Sequence, residues 1–205
     1  FHISENLKMS KIFLQRLFKQ KFKKIVIAGT CYEYGLLEGE LEESFETFPV
    51  TNYGLAKDLL RIFIENESIY NSFNWCWLRI FYPYTEYTKR PTLYSSLKQA
   101  IKEKRDYFEI GSGSLIRDFV SLENIAKQFL ELTFNENARG IYNGGSGQPL
   151  SIKDFASKIV KSEKSNINLK YGFKNNREYE PYAYWANMTK YKNLFKNHPS
   201  NNFNK

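Results

Sequence analysis

The sequence predicts an α/β fold, and three features predict it. Short apolar runs, Ile25-Val26-Ile27-Ala28 and Trp75-Cys76-Trp77-Leu78-Arg79-Ile80-Phe81, read as buried strands. Stretches with apolar residues at helical spacing stand beside them, around Tyr53–Ile64 and over Thr92–Lys104. Turn residues such as Gly111-Ser112-Gly113-Ser114 punctuate the two kinds of element. Strands alternating with helices of this length argue for a sheet covered by helices.

In chain order, most of 1–24 reads as a helix, with Ile3, Leu7, Ile12, Phe13, Leu14, Leu17 and Phe18 separated by Lys, Gln and Ser. The strand at 25–28 closes in Gly29-Thr30. A Glu-rich polar loop leads to a helix carrying Tyr53, Ala56, Lys57, Leu60 and Ile64, capped by Thr51 or Asn52. After the Trp75–Phe81 strand, Leu93, Leu97, Ala100 and Ile101 form the stripe of the next helix, and Tyr107-Phe108-Glu109-Ile110 is a short strand. Ser121 is the best cap by residue type for a helix running to Phe134. Gly140 to Gly147 is a strand entering a glycine-rich turn. Ser151 caps a helix from Ile152 to Val160, and 187–195 is a last helix before a polar tail.

The chain has 205 residues, enough for one large domain or a domain plus a lobe. With 42% hydrophobic and 17% aromatic residues it can bury a sizeable core. Cys31 and Cys76 form no metal-ligand spacing and imply no disulfide, so no metal is expected and a reducing cytoplasm is the default location. No apolar run approaches the roughly 20 residues of a membrane span, and no signal peptide is visible. The net charge of +8 suits an anionic partner. A nucleic-acid module has only that charge behind it and is not expected, since most of these lysines should be solvated. The first residue is Phe1 rather than Met. The expectation is a chain that starts inside something longer or has been processed.

The chemistry gathers at Tyr53-Gly54-Leu55-Ala56-Lys57. Residues four apart lie on one helix face, which sets the Lys57 ammonium near the Tyr53 phenol. A phenol has an ordinary pKa of about 10, and a nearby cation lowers it. Thr30, at the end of the adjacent strand, offers a hydroxyl to fix a carbonyl or alcohol beside the phenol. These three groups make a proton-transfer site for carbonyl/alcohol interconversion. Tyr-x-x-x-Lys alone is weak in a chain this rich in both residues. The strand, the Thr-bearing turn ending in Tyr34-Gly35, and the helix in the right order make it specific.

Gly29-Thr30 through Tyr34-Gly35, followed by Tyr53 to Lys57, resembles the extended short-chain dehydrogenase/reductases, the NAD(P)-dependent epimerase/dehydratase group that acts mostly on nucleotide sugars. The resemblance covers most of 1–195. It implies the C-terminal part of a Rossmann-type doubly wound parallel sheet in 1–90, with a smaller α/β nucleotide-sugar-binding lobe mainly in 91–205. It implies NAD or NADP as cofactor, a nucleotide-diphosphate sugar as substrate, and a homodimer built through the Tyr53 helix. By resemblance Tyr53 is the acid/base, Lys57 binds the nicotinamide ribose, and Thr30 contacts substrate. Asn6, near a helix start, would support the active-site water or loop.

Further segments carry the same resemblance. Leu78-Arg79-Ile80-Phe81 followed by Tyr82-Pro83 stands where the family has L-R-x-F and a polar residue before Pro. Pro83 would lie by the nicotinamide ribose and Tyr82 near the sugar. As ordinary chemistry, Arg79 and Tyr82 are strand-end residues. Arg117-Asp118-Phe119-Val120 resembles the family's R-D-[FY]-[IV], and Arg117 would contact the diphosphate. Its guanidinium fork suits phosphate oxygens, and pairing with Asp118 or another carboxylate competes. Arg177 falls at the family's diphosphate-gripping Arg, with Glu178-Tyr179-Glu180 replacing P-G-D, and is otherwise a solvated loop arginine. Tyr184-Trp185-Ala186-Asn187 resembles the Y-W-A-D of UDP-galactose 4-epimerases.

The family's Gly-rich pyrophosphate turn opens no βα unit in this sequence. Two or three such units, roughly 60–100 residues, are expected upstream. Dehydratases of the family carry Asp-Glu after the Thr, where this chain has Cys31-Tyr32, so 4,6-dehydration is disfavoured. A 4-ketoreductase or 4-epimerase needs only Tyr, Lys and Ser/Thr with nicotinamide, and reduction is preferred. The alternative expectation is a truncated, non-catalytic remnant that binds cofactor poorly.

Overall fold

Three parallel strands build the floor of the molecule: β1 (Lys24–Thr30), β3 (Asn74–Ile80) and β7 (Gly140–Gly144), in the order β1-β3-β7. The computed structural model describes residues 1–20, 22–172 and 180–196. Between these strands run β2 (Gly39–Leu41), α2 (Asn52–Asn71), β4 (Tyr82–Tyr84), α3 (Leu93–Lys102), β5 (Tyr107–Glu109), β6 (Ile116–Ser121) and α4 (Leu122–Phe134). A π-helical segment at His2–Leu7 and α1 (Lys8–Phe18) precede β1. The chain ends in β8 (Pro149–Ser151), α5 (Ile152–Ser162), β9 (Asn168–Lys170), β10 (Tyr184–Ala186) and α6 (Thr189–Lys196).

β3 is central because both its faces are apolar. Trp77 turns to one side and packs with Leu14 of α1, Leu60 and Ile64 of α2, and Phe73 just before β3. Cys76 and Leu78 turn to the other side and meet Ile125, Leu132 and Tyr142. Helices therefore cover both faces, as a parallel sheet requires. A second core unites α3 with α5 through Leu97, Ala100, Phe155 and Ile159, beside the short pairings β4-β6-β8 and β5-β9. β7 pairs the free edge of β3 and α4 packs on β1 and β3, so the sheet also draws on elements beyond residue 90.

The helix caps follow residue chemistry. Thr51 accepts from the Gly54 amide, Ser121 from Asn124 and Ser151 from Asp154, each filling one orphan donor of a first turn. The register brings Thr30 opposite Ile80 and Ile80 opposite Gly144, so the carboxyl ends of all three strands finish together. In open parallel sheets this rim is where ligands bind. No helix among the described residues is long and apolar enough to cross a membrane.

Candidate active site

β1 delivers Thr30 to that rim, and a 3-10 turn, Cys31–Tyr34, carries the chain away from it. Thr30 is buried, and its hydroxyl accepts from the Tyr32 amide at 3.3 Å. α2 docks directly on the turn. A Cβ at Gly54 would lie 2.6 Å from the Tyr32 carbonyl oxygen, so only glycine lets the helix approach this closely. Tyr53, beside that glycine, is 38% exposed. Its ring meets the edge of Tyr32 at 6.2 Å and of His2 at 5.3 Å between centroids.

Thr30, Tyr53 and Lys57 thus come together, but not with the electrostatics expected. Burial raises the Tyr53 phenol above the ordinary value, and the neighbouring Thr30 hydroxyl pulls it down. Cys31 and Glu33 push it further up, while Arg90 opposes them. Lys57 does not lower it, because its ammonium is turned to the strand and donates to the Ala28 carbonyl at 3.0 Å. Burial lowers the Lys57 pKa in turn. A cavity of about 290 Å³ opens beside the pair, lined by Tyr53, Lys57, Ala56, His2 and Asn6. Asn6 is exposed and meets His2 Nδ1 at 3.4 Å. A groove of about 900 Å³ lies elsewhere, among α4, α5 and α6, and contains none of these groups.

A second cluster adjoins the first through Tyr32. The hydroxyls of Tyr32 and Tyr82 stand 3.4 Å apart, those of Tyr82 and Tyr184 2.8 Å, and Tyr184 reaches the Cys31 thiol at 3.7 Å. Arg117 lies under them, 1% exposed, with its guanidinium over the rings of Tyr82 and Tyr184. It donates to the carbonyls of Ile116 and Tyr182 and pairs with Glu180 at 3.2 Å. Asp118 is not its partner. That carboxylate accepts instead from the Ser146, Gly147 and Ala186 amides. Pro83 is exposed on β4, opposite Val120. Arg177 lies outside the described residues.

Cys31 and Tyr32 occupy the two positions after Thr30. Burial pushes the Cys31 thiol up to about 12 and the Tyr32 phenol up as well. Sequence reasoning passed over Glu33, although Thr30-x-x-Glu33 has the spacing of a capping box, which the structure contains. It also passed over Tyr184 as a hydroxyl partner and Glu180 as the carboxylate facing Arg117. Glu180 is far from Arg117 in the chain and carries no local signal.

The sequence profile of the NAD dependent epimerase/dehydratase family matches residues 2–145. The chain belongs to that family. Within it, the chain is 28% identical over 175 residues to a dTDP-6-deoxy-L-talose 4-dehydrogenase (NAD(+)) of Aggregatibacter actinomycetemcomitans, covering 85% of this chain and 64% of that protein. Among solved structures it resembles a UDP-glucuronic acid 4-epimerase from Bacillus cereus in complex with UDP-glucuronic acid and NAD. That match has a TM-score of 0.83, 19% identity, and 97% and 63% coverage of the two chains. It also resembles a UDP-N-acetylglucosamine 4-epimerase from Methanobrevibacter ruminantium M1, with a TM-score of 0.80, 18% identity, and 94% and 65% coverage. At these identities the two structures show the shared Rossmann-type fold. The chain spans a little under two thirds of each of these relatives.

Proposed function

We propose that the whole protein is an NAD(P)-dependent nucleotide-sugar oxidoreductase acting at a sugar carbon, of the 4-ketoreductase or 4-epimerase type, with reduction preferred. The observation that carries this reading is the meeting of Thr30, Tyr53 and Lys57 at the carboxyl end of β1, beside a cavity. The groups present fit the nicotinamide-ribose end of a dinucleotide: a phenol, an ammonium and the Asn6 amide line one small cavity whose other walls include Leu7, Met9, Ala56 and Leu60. The nicotinamide supplies or accepts the hydride when bound.

The residues of this chain handle the proton and the substrate. Thr30 holds the sugar carbonyl oxygen by a hydrogen bond. Tyr53 gives its phenolic proton to that oxygen in reduction and takes it back in oxidation. Its raised pKa keeps the proton in place at neutral pH, which suits the reductive direction. Lys57 ties α2 to β1 and offers its remaining donors to the ribose. We assign Tyr82 to the sugar, and Arg117 and Arg177 to the diphosphate. Dehydration stays disfavoured, because Cys31 and Tyr32 stand where the family's dehydratases carry two carboxylates. A homodimer is supported by the apolar residues left exposed on α1 and α2, among them Phe13, Leu59, Ile62 and Ile69.

The test uses the natural full-length protein with dTDP- and UDP-linked 4-keto-6-deoxyhexoses and either NADH or NADPH. Oxidation of the nicotinamide coupled to alcohol formation at C4 is the expected result. Absence of cofactor binding and of turnover with every donor would move the protein to the remnant reading.

A further inference from the structure

Glu33 follows Thr30 by three residues, and its side chain is 0% exposed. Oε1 accepts from the Thr30 amide at 2.8 Å and from Trp77 Nε1 at 2.9 Å. Oε2 accepts from Arg79 Nε at 2.8 Å and from Trp77 Nε1 at 3.0 Å. Each of these partners is a donor. A protonated carboxyl would have to aim its own O–H at one of them, so the shell fits only the carboxylate. Burial pushes the group up, and the ion pair and hydrogen bonds pull it down. The donor-only shell decides for the ionised form.

The strand is shaped for this contact. A Cβ at Gly29 would lie 2.1 Å from Trp77 Nε1 and 2.8 Å from Glu33 Oε1, so glycine lets indole and carboxylate press against β1. Arg79 stands opposite Gly29 in the sheet register, is 1% exposed, and stacks over Tyr34 at 4.5 Å. A buried ion pair is a poor device for stability alone, because desolvation offsets much of its attraction. What the carboxylate adds here is a fixed Thr30, whose amide it holds while the hydroxyl accepts from the Tyr32 amide and adjoins the Tyr53 phenol.

We propose that Glu33 is a positioning residue for proton transfer at Tyr53: anchored on β3 by Trp77 and Arg79, it fixes Thr30 and keeps a negative charge at the end of β1. This rests on the reading of Thr30 and Tyr53 as the proton-transfer pair. The charge raises both the Tyr53 phenol and the Lys57 ammonium. The other groups facing the phenol are the Thr30 hydroxyl and Cys31 from β1 and its turn, the Tyr32 ring, His2, Lys57 on α2 itself, and Arg90. Neutralising Glu33 leaves Arg79 unopposed, so both changes move the phenol the same way, downward.

The test compares Glu33→Gln, Glu33→Asp, Thr30→Val and the Thr30→Val/Glu33→Gln double variant in the full-length protein. Glu33→Gln should lower kcat roughly 10- to 100-fold with KM nearly unchanged, the cost of a misplaced reacting partner. Its alkaline pH limb should move to lower pH by about one unit or less, while Glu33→Asp, which keeps the charge, loses kcat without moving the limb. The double variant should be no slower than Thr30→Val, because Glu33 acts on rate through Thr30. In labelled protein without cofactor, the Thr30 amide and Trp77 indole N–H resonances should both shift upfield in Glu33→Gln. An unmoved limb together with rate losses that multiply in the double variant would overturn the proposal. If Glu33→Gln does not fold, Glu33→Asp decides by its kcat. Normal turnover in both Thr30→Val and Tyr53→Phe marks failure of the proton-transfer reading itself, whatever Glu33 does to the two resonances.

Discussion

The Lys57 ammonium donates to the Ala28 carbonyl at 3.0 Å and so ties the helix that carries Tyr53 to the strand that carries Thr30. The tie is half-buried and charge-assisted, which places its contribution at about 1–2 kcal/mol. Lys57→Met keeps the stem and removes the donor. We expect urea unfolding to show that loss, and nucleotide affinity to fall as well. Unchanged stability in Lys57→Met would mean that the ammonium is solvated instead.

Tyr53→Phe deletes one oxygen from a residue that is 38% exposed. Losing its hydrogen bond with the Thr30 hydroxyl costs about 1 kcal/mol of stability, whereas loss of a general acid costs roughly 10²- to 10⁴-fold in kcat. The expected variant is folded, still binds substrate, and is nearly inactive. Full turnover by Tyr53→Phe would remove the phenol from the mechanism.

Gly54→Ala sets two effects against each other. Alanine favours a helix by about 1 kcal/mol over glycine. Against this, its Cβ would stand 2.6 Å from the Tyr32 carbonyl oxygen, a backbone atom that cannot swing aside. Overpacking of this kind costs roughly 1–3 kcal/mol, so a net loss is expected, along with a drop in kcat as α2 lifts from the Thr30 turn. A higher melting temperature in Gly54→Ala would show that the turn yields without cost.

The sheet and its long helices were legible because each announces itself locally. Ile25–Ala28 and Trp75–Phe81 are apolar runs, and Thr51, Ser121 and Ser151 are caps of the expected type. The three-residue strands β2, β4, β8, β9 and β10 were not, since such segments carry no measurable period. Thr30, Tyr53 and Lys57 were legible from spacing, but the direction of the Lys57 side chain was not. Spacing of four puts two residues on a helix face, yet the carbonyl that attracts the ammonium belongs to another element. The same holds for Glu180 and Arg117, which are brought together only by the tertiary fold.

The pH dependence follows from the sign of the Tyr53 shift. Its pKa is raised above the ordinary 10.0, chiefly by burial. Reduction needs the protonated phenol, which is therefore present across neutral pH and lost only on the alkaline side. The reductive rate should stay flat through neutrality and fall above pH 10 in the range where the protein remains folded. Oxidation needs the phenolate and should climb over the same interval. A reductive limb near pH 7 in enzyme that is not saturated with cofactor would contradict the burial argument.

Arg117 is expected to respond as a buried structural cation as well as a recognition residue. It is 1% exposed, bonds two carbonyls, pairs with Glu180, and lies over two tyrosine rings. Arg117→Met removes the cation and leaves the Glu180 carboxylate, 12% exposed, facing the hydroxyl of Tyr32. Breaking a buried pair from one side costs roughly 3–5 kcal/mol. The Arg117→Met/Glu180→Gln double variant should recover much of that loss, because no uncompensated charge remains. If Arg117 served only the substrate's diphosphate, Arg117→Met would raise KM and leave the melting temperature in place. A large fall in melting temperature with partial rescue by Glu180→Gln is the outcome the geometry requires.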